Sequence, residues 1–233
     1  MRATCAGMQN SMTNIIPAIL PHTLDDLVMH LGRIRGAAPL VQIDVCDGMF
    51  VTSRTWPMNP GDRARFAQIV KGDEGLPYWE DFSFEIDFMV HSPERLIPLW
   101  IATGIQRAVI HLESRHDWNA VKDAAGDSVE LGLALDLDPP FERLHVAVPR
   151  ADYVQIMGIP RLGKQGEGLD DRVFGLIEKI RSEFPDVTIQ VDGGVSLDNA
   201  RGLIDSGADR LVVGSHIFNA PDPKDVLMKF ERI

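Results

Sequence analysis

At 233 residues the chain is long enough to bury a full core, as one large domain or two small ones. A formal net charge of -11 excludes nucleic acid and anionic membranes as general partners, but not a small phosphorylated ligand, which backbone amides hold without basic side chains. The two cysteines, Cys5 and Cys46, are not placed for a structural disulfide and favour a reducing, cytoplasmic setting, and no apolar run reaches membrane-spanning length.

Residues 1–13 lack the apolar core of a signal peptide and read as a disordered or artefactual tail, so one folded domain is expected over 14–233. Asn14–Leu20 reads as a short strand. Thr23 then opens a helix, with Asp26 completing a weaker form of the capping box and Leu24, Leu27, Val28, Leu31 and Ile34 at helical spacing. Val41–Val45 is a strand of β-branched and apolar residues. A loop over 51–61 precedes a helix at Asp62–Val70, an irregular stretch over 71–81 and a strand at Phe84–Val90. Ser92-Pro93-Glu94 has the form of a helix start: a capping serine, proline at the first helical position and an acid in the first turn.

The alternation continues. Strands are expected at Arg107–His111, Val129–Leu135, Tyr153–Met157, Val187–Val191 and Arg210–Val213. Helices are expected at Trp118–Ala125, Phe141–Val146, around Val173–Ile180 and over 198–206. One short helical turn should follow at 214–218, and Asp222-Pro223 should cap a last helix through Phe230. Strict β/α alternation implies a parallel sheet, and eight units in this length imply a (β/α)8 TIM barrel. An open doubly wound sheet would normally carry a G-x-G-x-x-G after the first strand, where this chain has Leu20-Pro21-His22-Thr23.

In such a barrel, working residues sit at strand C-termini. Two strands end alike, at Asp44 and at Asp192-Gly193-Gly194. A carboxylate inside an apolar run is costly to bury unless it is paired or used. Two carboxylates from different sides of one pocket can take a proton from one face of a substrate and return one to the other, as an epimerase requires. Gly193-Gly194 and Gly214-Ser215 lie in the loops after strands seven and eight, where barrels often bind phosphate. Asp47, before Gly48, reads as a turn residue or cap. Of the histidines, His111 alone is placed as a site candidate.

These motifs resemble the ribulose-phosphate 3-epimerase family. Asp44-Val45-Cys46-Asp47-Gly48-Met49-Phe50-Val51 is similar to its D-V-M-D-G-x-F-V, Phe88–Arg95 to its L-M-V-x-x-P-x-R, and Ile110–Glu113 to its V-H-x-E. Val191–Gly194 and Val213–Phe218 match its last two signatures. The resemblance implies a ketose-phosphate substrate such as D-ribulose 5-phosphate, C3 inversion by Asp44 and Asp192, and a divalent metal bound by the same pair. It also implies that Met89, Met157 and the glycine loop with Gly166 cover the substrate.

The departures are specific. Two family histidines that ligate metal correspond to Gln42 and Asp87, the early serine of S-P-S-I-L to Ala18, and the N-P-G-F-G-G-Q loop to Ile159–Gly168. The expected metal set is therefore Asp44, Asp87, Asp192 and Gln42 through its amide oxygen, which suits Mg²⁺ or Mn²⁺ better than Zn²⁺. A cationic side chain, Lys164 or Arg161, is the alternative neutraliser of the three carboxylates. Two competing functions stand beside the epimerase. One is a phosphosugar-binding barrel without catalysis. The other is a lyase of the same barrel group, disfavoured because the third strand lacks the lysine of D-x-K-x-x-D. Oligomeric state is left open, a homo-oligomer included.

Overall fold

The computed structural model describes residues 14–164 and 166–233. The expected features of residues 1–13, Cys5 among them, lie outside the described residues. Eight parallel strands close into a barrel in sequential order: β1 Asn14–Ile19, β2 Leu40–Cys46, β3 Ser83–Met89, β4 Arg107–His111, β5 Glu130–Leu135, β6 Tyr153–Met157, β7 Thr188–Asp192 and β8 Arg210–Val213, with β1 paired to β8. The helices that return the chain are α1 Leu24–Ile34, α2 Arg63–Lys71, α3 Ile97–Ile101, α4 Trp118–Ala125, α5 Phe141–Ala147, α6 Arg172–Glu183, α7 Ala200–Asp205, α8 Ser215–Phe218 and α9 Pro223–Phe230. The (β/α)8 expectation is met, and most boundaries fall within a residue of the sequence reading.

The period-two rule divides each strand into two faces. Val41, Ile43 and Val45 of β2, Phe84, Ile86 and Phe88 of β3, and Ile189 and Val191 of β7 all join the main core between sheet and helices. An aromatic group fills that layer around α3, with the rings of Trp56 and Trp100 5.7 Å apart edge to face, and Phe66 4.9 Å from Trp100. The opposite parity (Gln42 and Asp44, Glu85 and Asp87, Gln155 and Met157, Gln190 and Asp192) is also buried, and its cross-strand pairs form inside the barrel.

Caps behave as expected at two helices. The Thr23 hydroxyl accepts from the Asp26 amide at 3.1 Å, while Asp26 accepts in return from the His22 amide at 2.9 Å. Asp222 accepts from the Lys224 and Asp225 amides ahead of α9. The helix start at Ser92 is a correction. Ser92 has φ 55 and makes no side-chain cap; Pro93–Arg95 is a single 3-10 turn, and α3 begins only at Ile97. Pro98 is the reason: it has no N–H to donate to the Glu94 carbonyl, and its ring would clash there, so one continuous helix cannot run from Pro93.

Candidate functional site

Barrel closure brings Asp44, at the end of β2, and Asp192, at the end of β7, to the C-terminal mouth, and Asp87 of β3 pairs in register with Asp44. One carboxylate oxygen from each of the three lies within 4.8 Å of the others. Asp44 and Asp192 are each 8% exposed and open into a cleft; Asp87 and Gln42 are 0% exposed and lie beneath it. The cleft is lined by Ala18, Met89, Met157, Gly193, Gly194, Gly214 and Ser215, with Lys164 and Gly166 on the loop side.

The turns beside the aspartates require glycine. Gly193 and Gly194 have φ 95 and 72. A Cβ on Gly194 would also lie 2.5 Å from the Leu169 amide nitrogen, so a side chain is excluded twice over. Asp47 is a turn residue as read: its carboxylate accepts from the Met49 and Phe50 amides at 2.7 and 2.9 Å and from the His91 amide at 2.9 Å. That arrangement ties the loop after β2 to the loop after β3.

Beneath the aspartates lies a layer of directed hydrogen bonds. The Gln42 amide nitrogen donates to Asp44 at 3.1 Å and to Asp192 at 3.0 Å. Asp87 is engaged on both oxygens, by His111 Nε2 at 2.8 Å and by the Gln155 amide at 2.8 Å. Gln190 donates to the Gln155 carbonyl at 2.7 Å and to Glu85 at 2.8 Å, and the Tyr153 hydroxyl donates to Glu85 at 2.7 Å. Burial and the neighbouring Asp192 and Asp87 raise Asp44 well above the usual carboxylate range. Burial and Asp87 push Asp192 up to about 7, with the Gln42 N–H working against them. Burial alone would lower His111, but the adjacent Asp87 carboxylate raises it on balance.

Two expectations change. Gln42 faces the aspartates with its amide nitrogen, not its oxygen, so ligating a metal through oxygen requires the amide to turn over. Arg161 pairs with Glu167 at 2.7 Å and does not line the cleft; Lys164 does. Three participants were missed. Gln155, Gln190 and Tyr153 share inward parity with Met157 and Asp192, and a polar residue two before a site residue on a barrel strand was the available signal. His111, the one histidine singled out, does belong to the buried network.

The molecule is thus a parallel eight-stranded barrel with paired carboxylates at its mouth and glycines in the loops after its last two strands. The ribulose-phosphate 3 epimerase family profile matches residues 14–218, and the chain belongs to that family. Curated relatives include ribulose-phosphate 3-epimerase from Schizosaccharomyces pombe, 27% identical over 91% of this chain and 90% of that one. The Bacillus subtilis ribulose-phosphate 3-epimerase is 25% identical over 93% and 97%. Among solved structures, 3-hexulose-6-phosphate synthase from Salmonella typhimurium superposes with TM-score 0.68 at 16% identity, covering 94% of this chain and 97% of that one. KGPDC from Streptococcus mutans gives TM-score 0.66 at 12% identity over 95% and 96%. These two likenesses establish the fold alone.

Proposed function

We propose that the protein is a ketose-phosphate 3-epimerase, interconverting a pair such as D-ribulose 5-phosphate and D-xylulose 5-phosphate. The observation that carries this is the buried pair Asp44 and Asp192, three strands apart through β1 and β8, at the floor of one cleft. C3 inversion needs one carboxylate to take the C3 proton while a carboxylic acid returns one on the other face. Two aspartates at ordinary acidity would both be ionised at pH 7. Here both are raised, Asp192 to about 7, so a state with one proton between them is accessible at neutral pH. Gly193, Gly194, Gly214 and Ser215 would receive the phosphate through backbone N–H groups and a hydroxyl, with Gly166 closing over it. Met89 and Met157 give the reacting carbons an apolar wall.

The residues fit a hard divalent cation. Asp44, Asp87 and Asp192 converge their oxygens, and burial together with repulsion from the neighbouring carboxylates raises Asp44 and Asp192. This all-oxygen set favours Mg²⁺ or Mn²⁺ over Zn²⁺, with Gln42 as a fourth donor once its amide turns. A bound cation would supply positive charge to the oxygens at C2 and C3 of the substrate. The buried free thiol of Cys46 accords with a reducing cytoplasm.

The test is incubation of metal-loaded protein with D-ribulose 5-phosphate in D₂O. Deuterium at C3 together with xylulose 5-phosphate is expected; neither, in folded protein with bound metal, would defeat the reading. A second reading, a phosphosugar-binding barrel without turnover, is favoured by one observation: the Gln42 amide nitrogen already bridges Asp44 and Asp192. Stabilisation by sugar phosphates without exchange at C3 would select it.

A further inference from the structure

We infer that Gln155, held in one orientation by Gln190, is a positioning residue for the acid/base Asp192; this rests on the epimerase reading above. Gln155 is fully buried on β6, in register with Gln190 on β7. Its amide nitrogen donates to Asp87 at 2.8 Å and lies 3.3 Å from Asp192 and 3.3 Å from the Met157 sulfur. Its hydrogen bonds reach Asp87 and Asp192 but not Asp44, whereas Gln42 donates to Asp44 and Asp192 alike. It is therefore the group that joins Asp192 to the Asp87–His111 pair across the barrel interior.

The donor and acceptor order of this chain follows from its ends. Carboxylate oxygens that accept from amides fix the near end of Gln155 as NH₂. Its carbonyl then faces Gln190, which must present NH₂. The same NH₂ of Gln190 faces Glu85 at 2.8 Å. Its two hydrogens are thus matched by two close acceptors, with the Gln42 amide oxygen a longer third at 3.5 Å. Reversing either amide would set oxygen against oxygen at 2.7–2.8 Å. Glu85 is itself anchored by the Tyr153 hydroxyl at 2.7 Å and has Arg107 at 4.0 Å. Asp192 is thereby oriented from the barrel floor through Gln155 as well as by Gln42, whereas Asp44 has Gln42 alone of the two as its donor.

That asymmetry gives a readout that loss of packing alone would not produce. Gln155→Met keeps the volume and removes both ends of the link; Gln190→Met leaves Gln155 intact and removes its carbonyl anchor together with one donor to Glu85. For both variants we expect kcat for epimerisation to fall roughly ten- to hundredfold with KM little changed, the scale of a misplaced catalytic group. Proton exchange at C3 should persist from the epimer whose proton Asp44 removes, so that this epimer takes up deuterium with retention faster than it is inverted. Equal losses of exchange and inversion from both epimers, or unchanged kcat, would overturn the proposal. Gln155 side-chain amide resonances read positioning without turnover. In wild type they should exchange slowly with solvent, and in Gln190→Met quickly; fast exchange in wild type overturns the link directly. A wild type that inverts no ketose phosphate, yet keeps those amides protected, would sink the epimerase reading and leave the hydrogen-bonded link standing.

Discussion

In the proposed epimerase Asp44 and Asp192 carry the chemistry, and each has a distinct charge problem. Replacing either by asparagine removes the proton acceptor or donor with little change in shape. Epimerisation should fall about 10²–10⁴-fold in each, with the melting temperature kept or raised, measured by coupled assay and thermal unfolding. Asp192 also sets a pH dependence. Its folded value of about 7 lies above the ordinary 3.8, so between those values the folded state holds a proton that the unfolded state has released. Stability from this group is complete below about pH 4 and is lost as pH rises towards 7. Melts in chelator should therefore fall from pH 5 to pH 7. The loss is about 1.4 kcal/mol for each pH unit in which only the folded form stays protonated, or roughly 2–4 °C per kcal/mol for a chain of this size. Mn²⁺ should abolish the trend, because a bound cation replaces the proton. Asp44, Asp192 and the glycine turns were legible because each ends a strand with a residue type that strands avoid. Gln155 and Gln190 were legible only through their parity with Met157 and Asp192, since glutamine inside an apolar run does not say which neighbours it faces until the barrel closes.

Loops and helix ends divide into those that serve the cleft and those that serve the fold. Gly194, at φ 72 and with Leu169 against its missing side chain, belongs to the first. Gly194→Ala should force the β7 loop away from Leu169, raise KM for the sugar phosphate about tenfold or more and lower competition by inorganic phosphate. Asp222→Ala is the matched control on α9: loss of the cap should cost about 1 kcal/mol in denaturant unfolding and leave KM unchanged. Sequence signals for caps succeeded at Thr23 and Asp222 and failed at Ser92. There the local motif was sound, but Pro98, further along the chain, decided where helix could form.

For the whole molecule, alternation of strand and helix was sufficient to give the barrel, because hydrophobic periodicity reports burial and burial is what closes the sheet. Residues facing helices form the apolar layer, whereas the inner face of β2, β3, β6 and β7 is largely polar from floor to mouth. Stability should therefore reside in the outer layer. Removing Glu85 and its hydroxyl donor together (Glu85→Leu with Tyr153→Phe) should lower the melting temperature less than Glu85→Leu alone, because the single variant also orphans the buried Tyr153 hydroxyl while both leave Gln190 without its 2.8 Å acceptor. The polar inner face has a further consequence, for folding. A slip of one residue in both β2 and β3 would turn Gln42, Asp44, Glu85 and Asp87 outward into the layer of Ile, Val, Phe and Trp beneath the helices, and would put Ile43 and Ile86 inside. Such a misthreaded sheet strands four polar groups in hydrocarbon with no partners, so the side chains that make the pocket reactive also permit only one way for the strands to come together.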